Sequence, residues 1–373
     1  MKILIFYASY GGGHLSAAKS IQAYINENYK EHQTELVDCM KYVNKPIEKM
    51  TTAAYREMAM KMPWVWGKIY DKAQKGTLAH ISTRSNTIMA IKLLRLLRVE
   101  KPDLIISTHP FSSQMCNYLK RKGKIKSKIA TIMTDFASHD QWLVGKEYTD
   151  YFFVATNEMK DFLINQNIPK GTIYPTGIPI SSRFLETFNK SEIYDMFNLD
   201  CSKFTILLFA GGEFGLGKNQ NLEVFKCIVK NFYDIQLVAI AGKNEKIKES
   251  FEEYVHTLNR ENSIKVLPFT DKIPELMAIS DLVITKPGGL TISESLASNL
   301  PIVIINPIPG QEEENAEFLE GKKVAVWIRK HDDPEPILKS LINDKEKLAQ
   351  MKENTKLIAN KNSTRDICEI LLK

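Results

Sequence analysis

The same arrangement occurs twice in this chain of 373 residues: an apolar strand-like run, a cluster of glycines, then a helix. Ile3–Ala8 leads into Gly11-Gly12-Gly13, and Ile206–Ala210 leads into Gly211-Gly212. A run that is apolar without alternation suits a strand covered on both faces, as in a parallel sheet flanked by helices. The glycine turn exposes backbone N–H groups at the positive end of the next helix, where phosphate or another anion binds. The length suits two domains rather than one.

Strand-like and helical segments alternate through both halves, which predicts parallel α/β sheets. The first half has strand-like runs at Lys2–Ala8, Thr34–Val37, Asp103–Ser107, Lys128–Met133 and Tyr151–Ala155. The second has them at Thr205–Phe209, Gln236–Ala241, Ile264–Leu267, Asp281–Ile284, Pro301–Ile305 and Val324–Trp327. Helices are expected at Leu15–Asn28, Asn219–Asn231 and Ser363–Leu372. Glycine and proline in Thr176-Gly177-Ile178-Pro179 mark the switch between halves, giving domains at 1–178 and 179–358. The terminal segment, 359–373, is able to pack back on the first domain.

A third glycine turn, Lys286-Pro287-Gly288-Gly289-Leu290-Thr291, precedes a helix expected at Ile292–Ser298. One such turn is commonly plain punctuation; three are a pattern. Glu294 falls just inside that helix, where a carboxylate accepts two hydrogen bonds from a ribose diol while the helix N-terminus holds a diphosphate. A dinucleotide-binding unit would want GxGxxG and an acidic residue after the second strand. Gly11 and Gly13 are followed by Ser16 in place of the last glycine, although Asp38 ends the second run. An NAD-type oxidoreductase thus stays open as a distant alternative. His14 follows three glycines at the carboxyl end of a strand, where α/β ligands bind, and an imidazole suits proton abstraction near neutral pH. Its other reading is a histidine that caps or packs the helix start. No Asp-x-Asp occurs, so the sequence supplies no such pair of metal ligands and no metal or other cofactor is expected. Leaving-group charge would be met by helix N-termini and loop amides.

Charge is uneven. Residues 1–185 carry 26 Lys+Arg against 15 Asp+Glu, while 186–373 carry 24 against 29. Residues 41–128 alone hold 19 basic and 5 acidic side chains, with Met58, Met60, Met62, Trp64, Trp66 and Tyr70 interleaved. Such a field implies an anionic partner or is a solvated face. The aromatics among cations favour an anionic membrane surface over nucleic acid, for which no binding motif is present. Trp64, Trp66, Lys61 and Lys68 are the expected membrane contacts, and Leu93–Leu97 reads as a core stripe. The five cysteines are scattered without a CxxC pair, and no apolar run reaches the ~20 residues of a spanning helix. The apolar start, Met1–Tyr7, reads as a buried strand rather than a secretion signal. A cytoplasmic protein, peripheral on the inner face of the cell membrane, is expected.

Several segments together resemble a known family. Gly11-Gly12-Gly13-His14, Pro287–Glu294 and Pro309-Gly310-Gln311-Glu312-Glu313-Glu314-Asn315-Ala316 are similar to glycosyltransferase family 28. Thr134-Asp135-Phe136-Ala137-Ser138-His139-Asp140-Gln141-Trp142 and Thr176–Ile180 match its monogalactosyldiacylglycerol synthase and processive diacylglycerol glucosyltransferase branch. The resemblance implies a GT-B fold, two Rossmann-like domains facing across a cleft. It also implies inverting transfer of a hexose, glucose or galactose, from a UDP-sugar to diacylglycerol or a glycosyl-diacylglycerol. A transferase of UDP-GlcNAc to a lipid-linked cell-wall precursor is the alternative, and a non-catalytic UDP-sugar sensor a distant one. By the resemblance, His14 is the base and Phe269 flanks the uracil. Glu294 holds the ribose and Gly288, Gly289, Leu290 and Thr291 the diphosphate. Gln311, Glu314 and Asn315 meet the donor sugar, and Gly212, Gly215 and Gly217 let a loop close on the donor. Gly12, Gly13, His109, Asp135, His139 and Trp142 lie on the acceptor side. Gly-Gly-Gly-His is closer to galactosyl members, where glucosyl ones often have Gly-Asn-Gly-His.

Overall fold

The structure, a computed structural model, describes residues 1–9, 12–43, 79–137, 139–211 and 218–373, and the side chains of all but 79–88, 218 and 219. Trp64, Trp66, Lys61, Lys68, Gly212, Gly215 and Gly217 therefore lie outside the described residues.

The chain forms two compact units. The first comprises 1–182, 309–314 and 360–373; the second comprises 183–308 and 315–359. The elements of the first are β1 (Lys2–Tyr7), α1 (Gly12–Asn28), β2 (Gln33–Asp38), α2 (Ala79–Glu100), β3 (Leu104–Ser107), α3 (Pro110–Arg121), β4 (Lys128–Ile132), β5 (Tyr151–Phe153), α4 (Asn157–Asn165) and β6 (Ile173–Tyr174). Its six strands run parallel in the order β2-β1-β3-β4-β5-β6. Ile3, Leu4, Ile5 and Phe6 of β1 are fully buried, alternately on the two faces of the sheet. Leu4 and Phe6 pack with Leu93 and Leu97 of α2 and Met115 and Leu119 of α3. Ile3 and Ile5 pack with Ile21 and Ile25 of α1. The Leu93–Leu97 stripe is thus core, as its spacing predicts. The two-residue strand β6 is too short for a hydrophobic run to announce; its pairing with β5 creates it.

The second unit contains α5 (Lys190–Phe197), β7 (Phe204–Phe209), α6 (Lys218–Asn231), β8 (Ile235–Gly242), α7 (Glu245–Thr257), β9 (Ile264–Pro268), α8 (Ile273–Ile279), β10 (Leu282–Thr285), α9 (Gly289–Ala297), β11 (Ile302–Ile304), α10 (Gln311–Gly321), β12 (Ala325–Trp327), α11 (Pro334–Asn343) and α12 (Lys345–Ile358). The first turn of α10 counts with the first unit. Its sheet is again parallel, in the order β12-β11-β10-β7-β8-β9. The last helix, α13 (Ser363–Leu372), belongs to the first unit, with Ile367, Cys368 and Leu371 among the core side chains beside α1. Its first turn is pinned by Ser363 Oγ donating to the Ile178 carbonyl at 2.8 Å and Thr364 Oγ1 to that of Ile180 at 2.6 Å. Gly177 has φ +85°, and a Cβ there would stand 2.8 Å from that of Asn360, so this crossing needs glycine. No described helix is long and apolar enough to cross a membrane.

Each sheet reverses direction at one place. In the first, the chain leaves β1 for β2 on one side and goes to β3 on the other; in the second, β7 and β10 play those parts. Such switch points open a crevice at the carboxyl ends of the strands, where α/β folds bind ligands.

Candidate active site

At the first switch point the imidazole of His14 is held from two strands. α1 begins at Gly12, so His14 lies inside its first turn rather than ahead of a helix that starts at Leu15. The glycines' poor helix propensity is overridden by tertiary bonds: Thr108 Oγ1, just past β3, donates to the His14 carbonyl at 2.9 Å. The Thr108 carbonyl in turn lies 2.7 Å from His14 Nδ1, and Thr134 Oγ1, just past β4, lies 3.1 Å from the same nitrogen. A carbonyl oxygen only accepts, so Nδ1 carries the proton and the lone pair of the neutral ring sits on Nε2, the atom a base requires. Burial lowers the pKa of His14 below its ordinary 6.5, against the opposing pull of the Asp135 charge and the Thr108 bond. The neutral form is therefore the resting one near pH 7.

His109 stands edge-on to His14, ring centroids 4.5 Å apart. It is the N-cap of α3: its Nδ1 accepts from the Phe111 N–H at 3.2 Å. Burial, then the neighbouring His14 and His139, hold it well below 6.5 and neutral. Asp135 is buried, and His139 Nε2 lies 3.7 Å from its Oδ2. Burial would raise the Asp135 pKa, but the pull of His139, the charge of His14 and a hydrogen bond from Gln311 bring it below the ordinary value, so it stays ionised. Trp142 is only 1% exposed, its ring 5.9 Å from that of His139. It backs that histidine from the core instead of rimming a surface.

At the second switch point β10 ends in the Lys286-Pro287-Gly288 turn and α9 follows at once, three residues earlier than the apolar pattern predicts. Gly288 is its N-cap, and no side chain caps the helix. The first N–H groups of a helix have no intrahelical partner, so those of Gly289, Leu290 and Thr291 are available to an anion. Glu294, in the second turn, is half-buried and has no hydrogen-bond or ion-pair partner among the described residues; burial alone pushes its pKa up to about 8. Phe269, beyond β9, is 66% exposed, with the Lys243 ammonium 5.7 Å from its ring centre. Gly211, at the end of β7, admits no other residue: a Cβ would lie 1.9 Å from the Ala241 carbonyl oxygen.

The remaining expected residues are placed less simply. Asn315 is fully buried and its amide donates to the Pro287 carbonyl at 3.0 Å, so it supports the phosphate-type turn. Gln311 bonds Asp135, and Glu314 is half-buried. Asp38, the candidate dinucleotide carboxylate, is occupied: it accepts from Ser9 Oγ at 2.5 Å and from the Met40 and Lys41 N–H groups. Sequence reading overlooks Thr108 and Thr134, and also a polar trio, two of its members buried, beside the second glycine segment. There Asn221 bonds the Ala210 carbonyl, Asn306 bonds Asn221, and Gln220 accepts from the Asn306 N–H at 3.0 Å. The signal was a polar pair, Gln220-Asn221, on the buried side of α6. Among the described residues no three His, Cys, Asp or Glu side chains group as a metal site.

Residues 14–180 match the family model of monogalactosyldiacylglycerol (MGDG) synthase, and 206–370 that of the glycosyltransferase family 28 C-terminal domain. The processive diacylglycerol beta-glucosyltransferase of Bacillus cereus (strain B4264) is 33% identical over 371 residues, covering 96% of this chain and 89% of that protein. That of Bacillus pumilus (strain SAFR-032) is 30% identical over 379 residues, 100% of this chain and 94% of the other.

The chain belongs to glycosyltransferase family 28.

Two crystal structures illustrate the transferase's fold. MurG of Acinetobacter baumannii superposes with a TM-score of 0.66 at 12% identity, covering 99% of this chain and 98% of that one. HepE of Anabaena, in complex with UDP, gives 0.59 at 16% identity, covering 100% and 99%. At such identities the likeness shows the fold, two Rossmann-like sheets of GT-B type, and nothing about substrate.

Proposed function

We propose that this transferase moves glucose from UDP-glucose to diacylglycerol or a glycosyl-diacylglycerol at a membrane surface, inverting the anomeric centre. The acceptor oxygen forms the new bond to the anomeric carbon while the bond to UDP breaks. His14 Nε2 takes the acceptor proton, and the diphosphate leaves toward the N-terminus of α9. The observation that carries the reading is Glu294: a carboxyl without a partner among the described residues, behind an uncapped helix N-terminus, in a chain that belongs to family 28. It suits a ribose diol. The relatives' names favour diacylglycerol as acceptor and glucose as sugar. The test supplies labelled UDP-glucose or UDP-galactose with diacylglycerol in mixed micelles and separates the lipid products. Glucolipid formation that persists in excess chelator supports the reading. Transfer from UDP-galactose alone overturns the sugar, and metal-rescued loss overturns the metal-free mechanism.

A peripheral position on the inner, cytoplasmic face of the cell membrane is part of this proposal. Its support among the described residues is the outer face of α2 and the end of α3. Lys92, Arg95 and Arg98 are exposed there with Ile91 and Val99, and Arg121, Lys122, Lys124 and Lys126 are exposed at and just past the end of α3. None of these cations has an ion-pair partner among the described residues, and the sequence from Leu104 to Thr134 holds no Asp or Glu. Each such cation contributes about 1 kcal/mol near an anionic leaflet. Sedimentation with anionic vesicles should weaken steeply with salt and with Arg95→Glu/Arg98→Glu; equal binding to neutral vesicles, insensitive to salt, would sink the membrane reading.

A further inference from the structure

Among the described residues, the general base proposed above has no carboxylate bonded behind it. A histidine base is commonly oriented by an acid that bonds its other ring nitrogen. Here both oxygens at His14 Nδ1 are neutral: the Thr108 carbonyl at 2.7 Å and the Thr134 hydroxyl at 3.1 Å. The nearby acid, Asp135, is engaged elsewhere, with His139 3.7 Å from its Oδ2. It reaches His14 only through its field.

We infer that Thr134 is a positioning residue for catalysis, the second arm of a two-oxygen clamp that orients His14 and stabilises the imidazolium formed during transfer. The inference rests on the reading of His14 as base. Three strands bring the clamp together. His14 follows β1, Thr108 follows β3 and Thr134 follows β4, with β1-β3-β4 adjacent in the sheet. Thr108 is fully buried and Thr134 nearly so, so neither oxygen trades its place freely with water. Thr108 works from both ends, its carbonyl on the ring and its hydroxyl on the His14 backbone. It therefore fixes the ring's distance and its tautomer. What a single carbonyl leaves free is rotation of the ring about that one bond. A second acceptor, from the next strand, removes that freedom and keeps Nε2 aimed in one direction.

The clamp also bears on proton affinity. As His14 takes the acceptor proton on Nε2, the Nδ1–H grows more acidic and its bonds to both oxygens strengthen. Neutral oxygens give less stabilisation than a carboxylate would, so the base stays weak enough to remain unprotonated near neutral pH and still acquires partners as charge develops. Among the described residues, the other titratable groups facing the ring are His109 from α3 and the Asp135–His139 pair beyond β4. His109 is held neutral and Asp135 ionised across the neutral range, and the nitrogen titration of His14 itself separates its ionisation from that of His139.

The experiment uses the full chain with Thr134→Val, which keeps the shape and removes the oxygen, and Thr134→Ser, which restores it. Readouts are kcat and KM for the UDP-sugar, the acid limb of the kcat/KM profile, and the titration of His14 followed by nitrogen NMR. Thr134→Val should lower kcat about three- to tenfold with donor KM unchanged, as expected for loss of one ordinary hydrogen bond, the longer of the two at Nδ1. It should also move the acid limb and the NMR titration down together, and Thr134→Ser should return both. A fall in kcat without movement of either titration, or a serine variant that behaves like valine, would show a merely structural threonine and overturn the inference. Should the wild-type chain transfer no sugar, the base assignment fails, and the NMR titration still decides the clamp: no shift on Thr134→Val overturns it.

Discussion

Replacing Glu294 by glutamine tests the donor site through a property that a packing residue lacks. The carboxyl's pKa stands at about 8, against 4.5 for an ordinary glutamate, and burial is the only cause. Three and a half units at 1.36 kcal/mol each set a ceiling of about 5 kcal/mol on the cost of ionising it in the folded chain. The side chain keeps some contact with solvent, so about 2–3 kcal/mol is the expected effect. The sign follows from linkage. An acid whose folded pKa is raised contributes fully below the unfolded value, near pH 4.5, and loses that contribution as pH rises through about 8. The ligand-free wild type should therefore lose stability between pH 5 and 9 relative to Glu294→Gln, which is neutral throughout. Urea unfolding of both at pH 5, 7 and 9 measures this difference. Ribose hydroxyls donating to the carboxylate would favour its ionised form, so UDP binding near pH 6–7 should expel close to one proton. In calorimetry the binding enthalpy of the wild type should then vary with the ionisation enthalpy of the buffer, and that of Glu294→Gln should not. Affinity of the variant for UDP should fall about tenfold or more, as for loss of a charged hydrogen-bond partner. A stability difference independent of pH would refute the claim that this carboxyl is buried without a partner. Buffer-independent UDP binding by the wild type would separate it from the ribose.

Other outcomes follow from the same geometry. His14→Ala should lower turnover by about 10²–10⁴ with little change in UDP affinity, measured by steady-state kinetics beside calorimetry; normal turnover would remove it as the base. Gly211→Ala puts a methyl group 1.9 Å from the Ala241 carbonyl and should destabilise the second unit by several kcal/mol, whereas Gly171→Ala, whose Cβ would meet nothing within 4 Å, should be nearly neutral in the same melt.

Much of the architecture was legible in the chain itself. Parallel strands buried on both faces must be apolar throughout, and central runs such as Ile3–Phe6 and Ile206–Leu208 met that condition without reference to partners, while the edge strands β2 and β9 carry Glu35 and Lys265. Glycine turns announce helix N-termini because only backbone is left to face an anion, and so Gly288 and Glu294 could be named from local chemistry. Helix starts were less legible: α1 and α9 begin inside their glycine segments, since the bonds that draw those residues into the helix come from elsewhere, as Thr108 does for His14.

What only the tertiary structure decided is which group each polar side chain serves. Asp38 stands where a dinucleotide carboxylate would, and its oxygens are spent on its own backbone and Ser9. Asn315 sits in a motif read as sugar-binding, and its amide holds the Pro287 carbonyl 28 residues away in sequence. Thr108 and Thr134 carry no motif that marks them for His14, being 94 and 120 residues distant from it. Residue type states what a group can donate or accept, and strand order decides what stands within 3 Å of it to complete the bond.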